Sequence, residues 1–217
     1  ISMMPADEDH RFGHGKAEGF SAFIQASFLI GAGVFLATES FMRFFRDVEI
    51  SHHMLGVWVS IIAMVVSMVV VAVQSYTLKK IDSLIIEADQ RHYLNDVLIN
   101  GAVVIGLLIH LYTGWSFADS LLGLIISLYI IWTGFDIGRK ATDMLMDKEI
   151  GDDKRILISE TVHKHRQVKG MHDLRTRRTG MGVSISFDVE LDPTLTLHDA
   201  HEIVRELEFA LLEHFPH

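Results

Sequence analysis

The chain has 217 residues, room for one or two domains, and no cysteine, which excludes a disulfide framework, a thiolate metal site, an iron–sulfur cluster and a cysteine nucleophile. Its net charge of −9 argues against broad binding to nucleic acid or anionic lipid. The averages, 49% hydrophobic and 22% charged, hide a split: residues 17–138 carry most of the apolar content, and residues 148–217 read as ordinary soluble protein. Thirteen histidines are many for this length and call for a use.

The apolar scrap at residues 1–4 reads as the end of a preceding helix, so the sequence is expected to be a fragment at its N-terminus. A polar loop follows, with Asp7, His10 and His14. One carboxylate and two imidazoles this close can close three of the four positions of a zinc tetrahedron, and Gly13 and Gly15 let the loop fold around an ion. Spacing alone fits two solvated histidines equally well.

Four stretches then reach the roughly 20 mostly apolar residues that a bilayer crossing needs. They are about 20–41, 55–78, 93–112 and 117–137. The second has no charge and no polar face, which argues against a soluble helical bundle. Near the third, His92 and Asp96 are four residues apart and share one helix face. Ionisable groups at that depth are costly and usually functional, and imidazole with carboxylate suits a borderline transition ion better than Mg²⁺ or Ca²⁺. The alternative is an interfacial pair that snorkels to water beside Arg91. Asp119 and Asp136 sit near opposite ends of the fourth span, where interfacial placement accounts for them. Basic clusters at Arg11 and Lys16, at Lys79, Lys80 and Arg91, and at Arg139 and Lys140 fall on one side of four spans and mark it as cytoplasmic.

The tail reads as a small α+β domain of order αββα. Residues 152–165 predict a helix with an acidic start and a basic end. Residues 168–177 predict a strand, 180–182 a turn, and 183–191 a strand with clean alternation. Residues 196–213 predict an amphipathic helix, opened by Thr196 and Asp199 in a capping-box pattern. Two strands alone make a marginal sheet, so a further strand is expected beyond the sequence. His172, Asp188 and His201 fall on the two strands and the helix and are candidates for a weak regulatory metal site. His163, His165, His198, His214 and His217 fall into no pattern.

Three stretches together resemble the cation diffusion facilitator family, of the bacterial zinc/ferrous-iron proton antiporter type. They are the loop from Asp9 to Glu18, the Glu87-Ala88-Asp89-x-x-His92-Tyr93-x-x-Asp96 run, and Gly170 to Arg177. The resemblance implies a multi-pass α-helical membrane domain (residues 1–147) and a small cytoplasmic metallochaperone-like domain, αββα with a further strand (148–217). It implies that the first two of six spans are absent, and that the protein is a homodimer in the inner (plasma) membrane. His92 and Asp96 match half of the transport site; Asp7, His10 and His14 match the loop site; His172 and His201 match tail ligands. Asp188 stands where zinc-binding relatives carry a histidine. Lys16 and Asp147 match a salt-bridge lock of the dimer. The implied activity is efflux of Zn²⁺, with Cd²⁺ or Fe²⁺ as other cargoes, against protons as counter-ion. No catalytic residue and no nucleic-acid partner are implied. Two other classes remain: a membrane metalloenzyme, which lacks an H-E-x-x-H pattern, and a metal-sensing membrane protein that binds without transport.

Overall fold

A computed structural model describes residues 4, 6–45, 53–81, 83–113, 117–180 and 182–215. His217 and the side chain of Asp119 lie outside what it describes. The elements are α1 (Lys16–Arg43), α2 (His53–Leu78), α3 (Leu84–Thr113), α4 (Phe117–Leu145), α5 (Asp152–His163), β1 (Gly170–Thr179), β2 (Gly182–Glu190) and α6 (Leu197–His214). They divide into two compact units, Glu18–Thr142 and a second made of Ile1–Ala17 with Asp143–His217. The polar loop before α1 thus groups with the tail.

In the helical unit, α1, Val57–Leu78 and Ser120–Leu145 are long and apolar enough to cross a membrane. The third expected span lies in α3, which does not pass that test among the described residues. Its charged groups Glu87, Asp89, Arg91 and Asp96 fall in the first half, and the mostly apolar run 97–109 follows them. Small residues bring α1 and α4 together. A Cβ on Gly33 would come within 2.7 Å of the Ile131 side chain, and one on Gly134 within 2.7 Å of Ile30. Such close backbone approach gives packing energy where lipid supplies no hydrophobic drive. Glu18, 2% exposed, accepts hydrogen bonds from Ser83 Oγ (2.7 Å) and Ile85 N (3.3 Å). It satisfies one of the orphan N–H groups that open α3, and its charge suits the positive end of that helix.

In the tail unit the two strands pair antiparallel, with α5 and α6 packed on one face. Ile158, Val162, Ile203, Leu207 and Leu211 are buried, and Val183, Ile185, Phe187 and Val189 of β2 pack on them, as alternation predicts. β1 holds Met171 and Leu174 against the same core, three residues apart, which strict alternation forbids. A bulge between His172 and Arg175 resolves the conflict. Asp173 carries it in the left-handed region (φ 49°), and Arg175 grips the Asp173 carboxylate at 2.7 and 3.0 Å. Helix α6 opens with Thr196 as N-cap, its hydroxyl accepting from Asp199 N at 3.2 Å.

Candidate metal centres

The loop site is built around Asp7. Its Oδ1 accepts from the backbone N–H groups of His10 (2.6 Å) and Asp9 (3.1 Å), which folds the chain back on itself. His10 Nδ1 then lies 3.2 Å from Oδ1, and His14 Nε2 lies 3.3 Å from Oδ2. The three ligand atoms fall within 4.8 Å of one another. Gly13 takes φ +78°, which a side chain would strain. Gly15 lies against β1, and a Cβ there would come 2.6 Å from the carbonyl carbon of Thr179. The His10 backbone N–H holds the Asp7 carboxyl below its ordinary value, with help from both imidazoles. The carboxylate is therefore ionised and ready as a ligand. Three ligands on a loop leave a fourth tetrahedral position open.

Next to it stands the Lys16–Asp147 pair. Helix α4 ends in a Schellman motif: Lys148 N bonds Asp143 O (2.9 Å) and Asp147 N bonds Met144 O (3.4 Å). That motif needs a left-handed residue, and Asp147 supplies it with φ 55°. The turn aims the Asp147 carboxylate at Lys16 Nζ, 2.9 Å away, with Arg177 at 3.6 Å. The hydrogen bond from Lys16, followed by the charges of Lys16 and Arg177, holds the Asp147 carboxyl below its usual range. Phe12 places its ring under the Arg177 guanidinium, 5.2 Å from the centroid.

On α3, His92 Nε2 and Asp96 Oδ2 are 3.8 Å apart, and both side chains are partly exposed. Two ligands leave at least two coordination positions to donors other than this pair. In the tail, His172 and Asp188 are direct cross-strand partners on the exposed face. His201 is exposed on α6, and among the described residues it joins no group of three ligands. The carboxylate nearest His172 is Glu190, whose Oε1 lies 2.9 Å from Nε2. Sequence reasoning passed over Glu190, although Asp188 and Glu190 alternate on the polar face of β2. Other histidines have structural partners: His165 Nε2 meets Glu206 at 2.9 Å, and His163 Nδ1 meets Ser159 O at 2.7 Å.

The family domain described as "Cation efflux transmembrane domain" matches residues 1–146, and "Cation efflux protein, cytoplasmic domain" matches 150–217. The chain belongs to the cation efflux family. It is 36% identical over 215 residues to the cation-efflux pump FieF of Serratia proteamaculans, covering 99% of this chain and 71% of that protein. It is 38% identical to the pump of the same name from Shewanella oneidensis, over 93% of this chain and 68% of the relative. The corresponding Yersinia enterocolitica pump is also 38% identical, over 99% and 71%. The chain is accordingly a multi-pass inner-membrane transporter of divalent cations with a cytoplasmic C-terminal domain, and not an enzyme. If α3 and α4 each cross the membrane, a cytoplasmic tail makes α4 run inward and α3 outward and puts Leu84 at the cytoplasmic end of α3.

Proposed function

We propose that this cation efflux protein exports Zn²⁺ from the cytoplasm in exchange for protons, as a homodimer, with Cd²⁺ and Fe²⁺ as secondary cargoes. The observation that carries the reading is the His92–Asp96 pair inside a membrane helix, at 3.8 Å. Imidazole and carboxylate must be deprotonated to bind metal, so metal loading releases protons and proton return expels metal. Imidazole also favours Zn²⁺ over Fe²⁺ in the Irving–Williams order. Rocking of helices against one another would open the site alternately to each side.

In this reading residues 1–147 form the transport domain and 148–217 the metal-binding and dimerisation domain. Asp7, His10 and His14 hold a second ion in the cytoplasmic loop. His172, Asp188 and His201 form a regulatory site in the tail, with Glu190 as an added carboxylate. Lys16 and Asp147 lock the dimer. The test is flux by the full-length chain in liposomes containing a zinc dye, under an imposed pH gradient. Proton-driven Zn²⁺ movement that disappears in His92→Ala and Asp96→Ala supports antiport through this pair. Zinc binding without flux favours the second reading, a sensor that binds but does not transport. One observation speaks for that reading: the one group of three ligands brought together among the described residues lies in the loop.

A further inference from the structure

Asp89 lies on α3 between the cytoplasmic end and the His92–Asp96 pair. At about 100° per residue, Asp89 and Asp96 stand within about 20° of each other around the helix, about 10 Å apart along it. His92 lies between them, about 4.5 Å above Asp89. Three metal-ligand groups therefore form one row that climbs from the cytoplasmic side.

Asp89 is held unusually for a carboxylate on a membrane helix. Gln25 Nε2 of α1 donates to Oδ1 at 3.3 Å, and Gln74 Nε2 of α2 donates to Oδ2 at 2.5 Å. Among the described residues, two carboxamides from two other helices thus donate to its carboxyl group. The arrangement leaves a debt: Gln74 Oε1 is buried and has no hydrogen-bond partner. A buried acceptor left unpaired costs about 1–3 kcal/mol, and such groups in a folded protein need an explanation. A hydrated divalent cation beside Asp89 would supply one. Its water can donate to Gln74 Oε1 while the carboxylate takes the ion, and a carboxamide turned over offers oxygen in place of N–H.

We propose that Asp89 is the first carboxylate to take the incoming divalent cation on the cytoplasmic side and that it hands the ion to His92 and Asp96. The inference rests on the reading of that pair as the transport site. Its test is the initial rate of Zn²⁺ flux against Zn²⁺ concentration, in proteoliposomes of the full-length protein. Asp89→Asn keeps one acceptor oxygen, offers an NH2 that a turned-over Gln carboxamide can accept from, and removes the charge. It should raise KM about tenfold, the lower range seen when groups supporting a metal site are removed, with kcat within about twofold. Asp89→Glu, which restores the charge, should return KM toward wild type. Equilibrium Zn²⁺ binding abolished by His92→Ala should keep its affinity in Asp89→Asn. A purely structural tie between the three helices would instead lower kcat in both variants, leave KM in place, and overturn the proposal. Unchanged kinetics in Asp89→Asn would also overturn it. If flux persists in His92→Ala, the transport pair itself is misassigned, and the inference falls with it.

Discussion

Thr176 ties the first tail strand to the segment that leaves α4, and replacing it with valine tests that tie. The residue is 3% exposed. Its hydroxyl donates to Glu149 Oε2 and accepts from Ile150 N at 3.2 Å, while its own N–H donates to Glu149 Oε2 at 2.9 Å. Valine keeps the shape and removes the hydroxyl. The carboxylate loses one of two donors from Thr176, and the Ile150 N–H loses its acceptor. Glu149 is half in water and recovers part of its loss by hydration. The Ile150 N–H is buried and does not. A hydrogen bond to a charged group contributes about 1.5–3 kcal/mol, and the expected loss lies in that range. Native-state hydrogen exchange of the full chain, read on the amides of β1 and Ile150, measures it locally. Exchange in Thr176→Val should accelerate roughly 10- to 150-fold, at 1.4 kcal/mol per tenfold. Thr176→Ser keeps the hydroxyl and loses one methyl, about 0.8 kcal/mol, so it should accelerate exchange only about fourfold. A valine variant within about threefold of wild type, or a serine variant as fast as valine, would refute the reasoning.

Gly15→Ala places a Cβ against the Thr179 backbone, 2.6 Å from its carbonyl carbon, and must push the loop off β1. Zn²⁺ titration should show binding to Asp7, His10 and His14 weakened about 10- to 100-fold, as for lost second-sphere support. A double-mutant cycle on Lys16→Ala and Asp147→Asn should give a coupling of only about 0.2–1 kcal/mol, because both side chains are substantially exposed, and one that shrinks at high salt. The coupling is read from the unfolding of the four proteins. Acid should loosen the tail. Asp147 and Glu149 are held below their ordinary values, the first chiefly by Lys16 and the second chiefly by the Thr176 hydroxyl. Depressed carboxyls contribute stability above their unfolded pKa, about 4, and lose it as pH falls through the lower folded values. Exchange of β1 amides, corrected for intrinsic rate, should hold steady from pH 7 to about 5 and rise below about 4. A rise already at pH 6 would point to histidine instead.

Much of the fold is legible because it rests on short-range pattern. The apolar runs predict α1, α2, the second half of α3 and α4, and Thr196 with Asp199 predicts the start of α6. β2 is predicted to within a residue because its alternation is unbroken. β1 is expected at 168–177 and found at Gly170–Thr179. Inside it lies the bulge, where the left-handed Asp173 changes the parity that alternation relies on. Met171 and Leu174, apolar and three apart in a strand, are the sequence signal of that bulge. The loop cluster is legible as well, since Asp7, His10 and His14 lie close enough for local turns to gather them. Long-range pairs are different. Lys16 and Asp147 are 131 residues apart, and only family resemblance joins them in the sequence. Their meeting depends on a Schellman turn at a position where aspartate replaces the usual glycine, a choice that local pattern does not announce.

Helix α3 sets a row of ionisable groups beside its packing seam. Its packing seam is Leu84, Ala88, Asn95 and Ala102, all buried, recurring at intervals of four and seven. Asp89 and Asp96 each sit about 100° around from the seam residue before them, Ala88 and Asn95, and His92 about 40° from Ala88. One side is thus given to packing and the adjoining side to ionisable groups. Among the described residues of α3, Asp89, His92 and Asp96 share one side of the helix. Moving Asp96 one position along the helix would rotate it about 100° into the neighbouring face and separate it from His92, although composition and hydropathy would be unchanged.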